Sequence, residues 1–198
     1  WLFPTAALTS NLMKAQKWFH NVIVAALVPF FFMCSTAWAQ TEVLDDLFAN
    51  LLTADEAASQ RIEQDIWREW SKSGSAAMDL LLMRGRDAMA AGETDAAIEH
   101  LTALVDHAPD FAEGWNARAT AYFQAGEFGP SISDIAHVLS LNPRHFGALA
   151  GLGMIFEELE KPEKALEVYK AALAIHPHLG GVLQSVERLE AATAGQDL

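Results

Sequence analysis

Val105-Asp106-His107-Ala108-Pro109, Leu139-Ser140-Leu141-Asn142-Pro143 and Leu173-Ala174-Ile175-His176-Pro177 are three versions of one phrase. Their prolines stand 34 residues apart, twice over. A period of 34 marks an array of helix–turn–helix units, so residues 78–179 decide the fold. Aligned on the prolines, the units run 78–111, 112–145 and 146–179.

Working outward from the prolines, the small residues Gly85, Ala119 and Gly153 share one position in each first helix. A second helix approaches closely only where no bulky side chain intervenes. Leu81, Trp115 and Leu149 stand four residues earlier, and Ala88, Tyr122 and Phe156 three residues later. Gly92 and Gly126 end the first helix in units one and two; in unit three Glu160-Lys161-Pro162 replaces that stop. Pro130 and Pro162 suit the first turn of a second helix, where a missing N–H does no harm. Ala97 and Ala165 give the second helix its own small contact point, beside Leu101, Ile135 and Tyr169.

These residues resemble the tetratricopeptide repeat family. Trp115…Ala119…Tyr122…Gly126…Pro143 and Leu149…Leu152-Gly153…Phe156…Ala165…Tyr169…Ala172…Pro177 carry the resemblance. It implies an all-α, right-handed solenoid of helical hairpins. Ser131 departs from the usual alanine, and Leu104 and Val138 stand where Ala172 is more typical, which predicts slightly wider packing between units. Unit one has Arg84 and Ala88 where large apolar and aromatic residues are commoner.

The flanks read as helical too. In residues 40–77, Val43, Leu44, Leu47, Phe48, Leu51 and Leu52 make one amphipathic face, and Ile62, Ile66, Trp67 and Trp70 another. Thr53-Ala54-Asp55-Glu56 ends the first helix and caps the next. This pair is expected to be a degenerate hairpin covering the open amino-terminal end of the array, as terminal units commonly are atypical. Trp67 and Trp70 invite an aromatic clamp for a peptide or sugar; filling the core between hairpin and repeats is the simpler role. After His178, Val182, Leu183, Val186 and Leu189 form the stripe of a capping helix within residues 180–198.

The amino terminus has a different character. Residues 1–12 precede the first methionine, Met13, and read as an upstream extension. Residues 13–39 have the pattern of a signal peptide: Lys14 and Lys17, an uncharged run from Val22 to Cys34, then Ala37-Trp38-Ala39 before Gln40. At roughly 1.5 Å per residue that run falls well short of a ~30 Å hydrocarbon core, and Pro29 interrupts it. Cleavage and export to a bacterial periplasm are expected; an uncleaved membrane anchor is the alternative. Phe31-Phe32-Met33 is too bulky to make Cys34 a lipidation site.

From Gln40 onward there are 11 positive and 26 negative side chains, a formal charge of −15. Such a surface repels phosphate backbones, so nucleic acid is a poor partner. No phosphate loop, nucleophile elbow or His-Glu-x-x-His is present. No cofactor is called for, and the histidines after Gln40 read as polar loop residues rather than metal ligands.

In the family resembled, first helices line a concave groove that holds partner peptides or helices. The resemblance implies groove positions Leu82, Arg86, Met89 and Ala90 in unit one. In unit two they are Asn116, Thr120, Phe123 and Gln124, and in unit three Ala150, Met154, Glu157 and Glu158. Gly147, Ala150 and Gly151 stand where a clamp for a partner's terminal carboxylate requires a cation. The function implied is that of a non-enzymatic scaffold for another protein, with the membrane involved only through an uncleaved signal segment.

Overall fold

The structure, a computed structural model, describes residues 41–194, so the extension, the signal segment with Cys34, and the last four residues lie outside the described part. The chain divides into Trp1–Asp46 and Leu47–Leu198. Of the first unit only residues 41–46 are described, and they are helical.

Among the described residues there are nine helices and no strand. They are α1 (41–51), α2 (Glu56–Trp70), α3 (Ala76–Ala91), α4 (Thr94–His107), α5 (Ala112–Gln124), α6 (Phe128–Leu141), α7 (Phe146–Glu158), α8 (Pro162–Ile175) and α9 (Gly180–Ala194). None is long and apolar enough to cross a membrane. Helices α3/α4, α5/α6 and α7/α8 are the three repeats, and each packs on the next. Helices this short are marginal alone, so burial between neighbours holds them.

Local chemistry sets the ends. Asp55 caps α2 by accepting from the Ala58 N–H at 2.8 Å. Pro162 opens α8. Gly92 and Gly126 adopt φ of 77° and 75°. The equivalent residue in unit three is Glu160, which takes φ 54° without being glycine.

Within each hairpin the small-for-large contacts form as expected. A Cβ on Gly85 would lie 2.5 Å from Leu101 Cγ, and one on Gly153 would run into the Tyr169 ring. Ser131 keeps the place of an alanine because its hydroxyl donates to the Ala119 carbonyl at 2.7 Å, a bond buried between α5 and α6.

Between units, size is traded across the junction. Leu104 meets Gly114, where a Cβ would lie 3.1 Å from the leucine. One period on, Val138 and Ala148 share a core cluster, and one more period on, Ala172 and Val182 do. As the first member shrinks from Leu to Val to Ala, the second grows from Gly to Ala to Val. The compensation bears on the wider packing that Leu104 and Val138 suggested, since their partners are smaller. It also sets α9 in the register of a further first helix, with Val182, Val186 and Leu189 buried against α8.

The amino-terminal hairpin does not go where its sequence suggested. Rather than covering the free end of the array, α2 lies against the side formed by the first helices. Trp70 stacks on His145 and packs on Phe146. Trp67 meets the same two rings edge-on, and Glu63 reaches His176 at 3.2 Å. The rings of His145 and Phe146 at the start of α7 give the indoles better partners than the sides of α3. At that free end, Leu80 and Met83 of α3 remain exposed.

Candidate partner-binding site

Helix α7 presents Gly147 and Ala150 toward the side on which α2 lies, and Gly151 toward α5. Gly147 admits the Trp67 ring, whose nearest atom a Cβ there would meet at 2.6 Å, and beyond that contact the small face leaves open space. The result is a cleft of about 580 Å³ walled by α2, α7 and α9. Trp67 and Glu63 come from α2, Met154, Glu157 and Glu158 from α7, and Val182, Ser185 and Arg188 from α9. Phe146 and Tyr169 complete its apolar lining. On the other flank of α7 a smaller cleft of about 200 Å³ runs to α5, past Asn116, Thr120 and Phe123. Gly147, Ala150 and Met154 belong to both, so the two clefts share the bare face of α7.

The wall contributed by α2 is fixed through buried polar groups. His145 Nδ1 accepts from the Ala148 N–H at 3.0 Å, capping α7. The ring proton therefore sits on Nε2, which donates to Glu113 at 3.0 Å. Glu113, 2% exposed, also receives Arg86 and the Asn116 amide, and Arg86 donates to Ser71 at the end of α2. A polar chain thus runs from the hairpin through α3 and α5 to α7. Further on, Glu63 accepts from Trp67 Nε1 at 3.2 Å and meets buried His176. The His176 hydrogen bond, opposed by burial and aided by the indole, holds Glu63 below the usual carboxylate range. His145 and His176 do lie in the connections between helices, and there both are fully buried.

At the α9 wall, Glu157 accepts from the Tyr169 hydroxyl at 2.8 Å and pairs with Arg188. Burial, then this hydrogen bond, pushes the tyrosine's ionisation upward. Glu158 has no such partner among the described residues. The cleft is therefore apolar within and negative at its edge. No metal-holding group of His, Cys, Asp or Glu occurs among the described residues.

The groove positions implied by the resemblance divide into two sets. Met154, Glu157, Glu158 and Ala150 line the larger cleft, and Asn116, Thr120 and Phe123 the smaller. Leu82 is a correction: it is 2% exposed, because the α3–α4 core takes it. Met89 packs on the same core, Arg86 is committed to Glu113, and exposed Gln124 lines neither cleft. Sequence reasoning missed the walls supplied by Glu63, Val182 and Arg188; Trp67, weighed there as part of an aromatic clamp and more simply as core, lines the cleft. The cluster of small residues from Gly147 to Gly151 was the available signal, since bare helix faces leave space.

Residues 82–136 and 131–179 match the tetratricopeptide repeat pattern. A TPR repeat-containing protein of Rhizobium etli is 36% identical over 153 residues, 77% of this chain and 75% of that protein. This chain belongs to the tetratricopeptide repeat family. The small glutamine-rich tetratricopeptide repeat-containing protein 2 of Saccharomyces cerevisiae is 30% identical over 117 residues, 59% of this chain and 34% of that one. Among solved tetratricopeptide structures, the first such domain of Spaghetti (RPAP3), bound to the HSP90 peptide SRMEEVD, superposes with TM-score 0.57. It is 26% identical and is matched over 61% of this chain and 95% of that one. The MamA protein shares the fold at TM-score 0.56 and 22% identity, over 80% of this chain and 84% of its own. Tetratricopeptide folds serve as protein-interaction scaffolds whose stacked hairpins present an extended binding surface.

Proposed function

We propose that this tetratricopeptide protein is a non-enzymatic scaffold of the bacterial cell envelope. It holds a partner polypeptide on the face lined by α5, α7 and α9. The observation that carries this reading is the paired cleft along the bare face of α7, open to a partner and lined by apolar side chains. The peptide bound by the Spaghetti domain supports a polypeptide as the occupant. The signal-like pattern of residues 13–39 supports export to the periplasm, with Gln40 as the mature amino terminus.

A photo-crosslinking residue placed at Met154 should capture a partner in the cell envelope, while the same residue at exposed Glu99 of α4 should not. Equal capture at both positions would overturn the cleft as the binding face. Mass spectrometry of the isolated protein tests export, and an intact amino terminus would favour the membrane-tethered alternative.

A further inference from the structure

The chemistry of the larger cleft narrows the partner. We propose that the α2–α7–α9 cleft takes a segment carrying a large apolar side chain next to a lysine or arginine, with the hairpin as a permanent wall of the site. This rests on the scaffold reading above and specifies its ligand.

Three observations converge. First, the interior is apolar: Trp67, seated against Gly147, and Phe146, Met154 and Val182 surround the space beside Ala150. An inserted aromatic or aliphatic side chain would shed water against them. Second, the edge carries three carboxylates, Glu63, Glu157 and Glu158, against one cation, Arg188, which is already paired with Glu157. Glu158 keeps its charge unpartnered among the described residues. A cationic neighbour of the apolar anchor meets it favourably, and an acidic segment is repelled. Third, Trp67 is a wall rather than a gate. Glu63 holds its indole N–H, its ring packs on His145 and Phe146, and the adjacent Trp70 is 7% exposed. A hairpin tied at Ser71, Trp70 and Glu63 completes the pocket instead of competing for it.

The test is selection of a displayed library of random seven-residue peptides on the full chain, followed by titration of the enriched peptides made synthetically. Enriched sequences are expected to pair an aromatic or large aliphatic residue with Lys or Arg, and the same peptides with that cation replaced by Glu are expected not to compete. Glu158→Lys, at an exposed position, should weaken those peptides at least tenfold and turn selection toward acidic residues. Trp67→Ala should weaken them as well. Stronger binding by Trp67→Ala would mean that the hairpin competes, and would overturn the wall. Enrichment of acidic peptides would overturn the partner chemistry. Peptides unaffected by either variant but lost with Thr120→Arg would leave the scaffold reading standing and remove this cleft as their site. Failure to enrich any peptide would overturn both.

Discussion

Trp70 lies flat on His145, with ring centroids 4.1 Å apart and planes 16° from parallel. The same histidine caps α7 with one nitrogen and holds Glu113 with the other. One imidazole therefore joins the hairpin to units two and three. Trp70→Ala should cost about 3–5 kcal/mol, as for a buried tryptophan elsewhere. Hydrogen exchange should show α2 losing protection while α4 to α8 keep theirs. Uniform loss would mean that the hairpin and the repeats unfold as one.

The Glu63–His176 contact makes hairpin docking sensitive to acid. Because Glu63 is held below its usual value of 4.5, its contribution is present above that pH. It is lost as pH falls through the lowered folded value. Glu63→Gln should therefore destabilise the protein at neutral pH, and its deficit relative to wild type should shrink below about pH 4.5. Denaturant midpoints measured from pH 7 to pH 3 would show this. A deficit constant across that range would remove the carboxylate's charge from the explanation.

Met154 and Phe123 both line the clefts, yet they differ in what else they do. Met154 is 47% exposed, whereas Phe123 packs on Phe128 with centroids 5.7 Å apart. Met154→Ala should leave thermal stability within about 0.5 kcal/mol while weakening partner capture. Phe123→Ala should lower stability by about 1–3 kcal/mol as its half-buried ring is removed. Matched melting curves and crosslinking yields separate the two.

Glu160 occupies the left-handed conformation that Gly92 and Gly126 take in the other units. A side chain there costs roughly 1–2 kcal/mol, and glycine relieves it at some cost in unfolded-state entropy. Glu160→Gly is expected to raise stability by about 0.5–1 kcal/mol, read from the denaturant midpoint. A drop would show that lysine or backbone contacts near Lys161 depend on the glutamate.

Leu104 and Gly114 allow a double-mutant test. Gly114→Ala alone pushes a methyl against Leu104, and Leu104→Val alone leaves a gap. Each should cost about 1 kcal/mol, and the pair together should recover most of that loss. The double variant has the residues that Val138 and Ala148 bring together one repeat later. Additive losses would refute the size trade.

The array was legible because its determinants are local and periodic. Glycines after the first helices of units one and two, prolines two residues past the end of each second helix and small residues facing Leu101 or Tyr169 all lie within one 34-residue frame. The hairpin's destination was not legible for a definite reason. The stripe of Ile66 and Trp70 says that a face is buried, without saying against what. Its partners, His145 and His176, lie far along the chain, and Glu63 meets His176 across 113 residues. Those histidines sit in the connections at unit junctions, where the repeat pattern gives no sign that α2 packs against them. The groove was half legible: repeat register located Met154 and Glu158, but could not reveal that Leu82 turns into the core.

The traded sizes at the unit junctions have a consequence for how such a chain can change. Leu104 fits Gly114, Val138 fits Ala148, and Ala172 fits Val182. Excising unit two would bring Leu104 against Ala148 and crowd the seam; copying unit three in tandem would set Ala172 against Ala148 and leave a hole. Three hairpins that look interchangeable by period are thus keyed to their neighbours, and the copy number and order of the repeats can shift only when both sides of a seam are altered together.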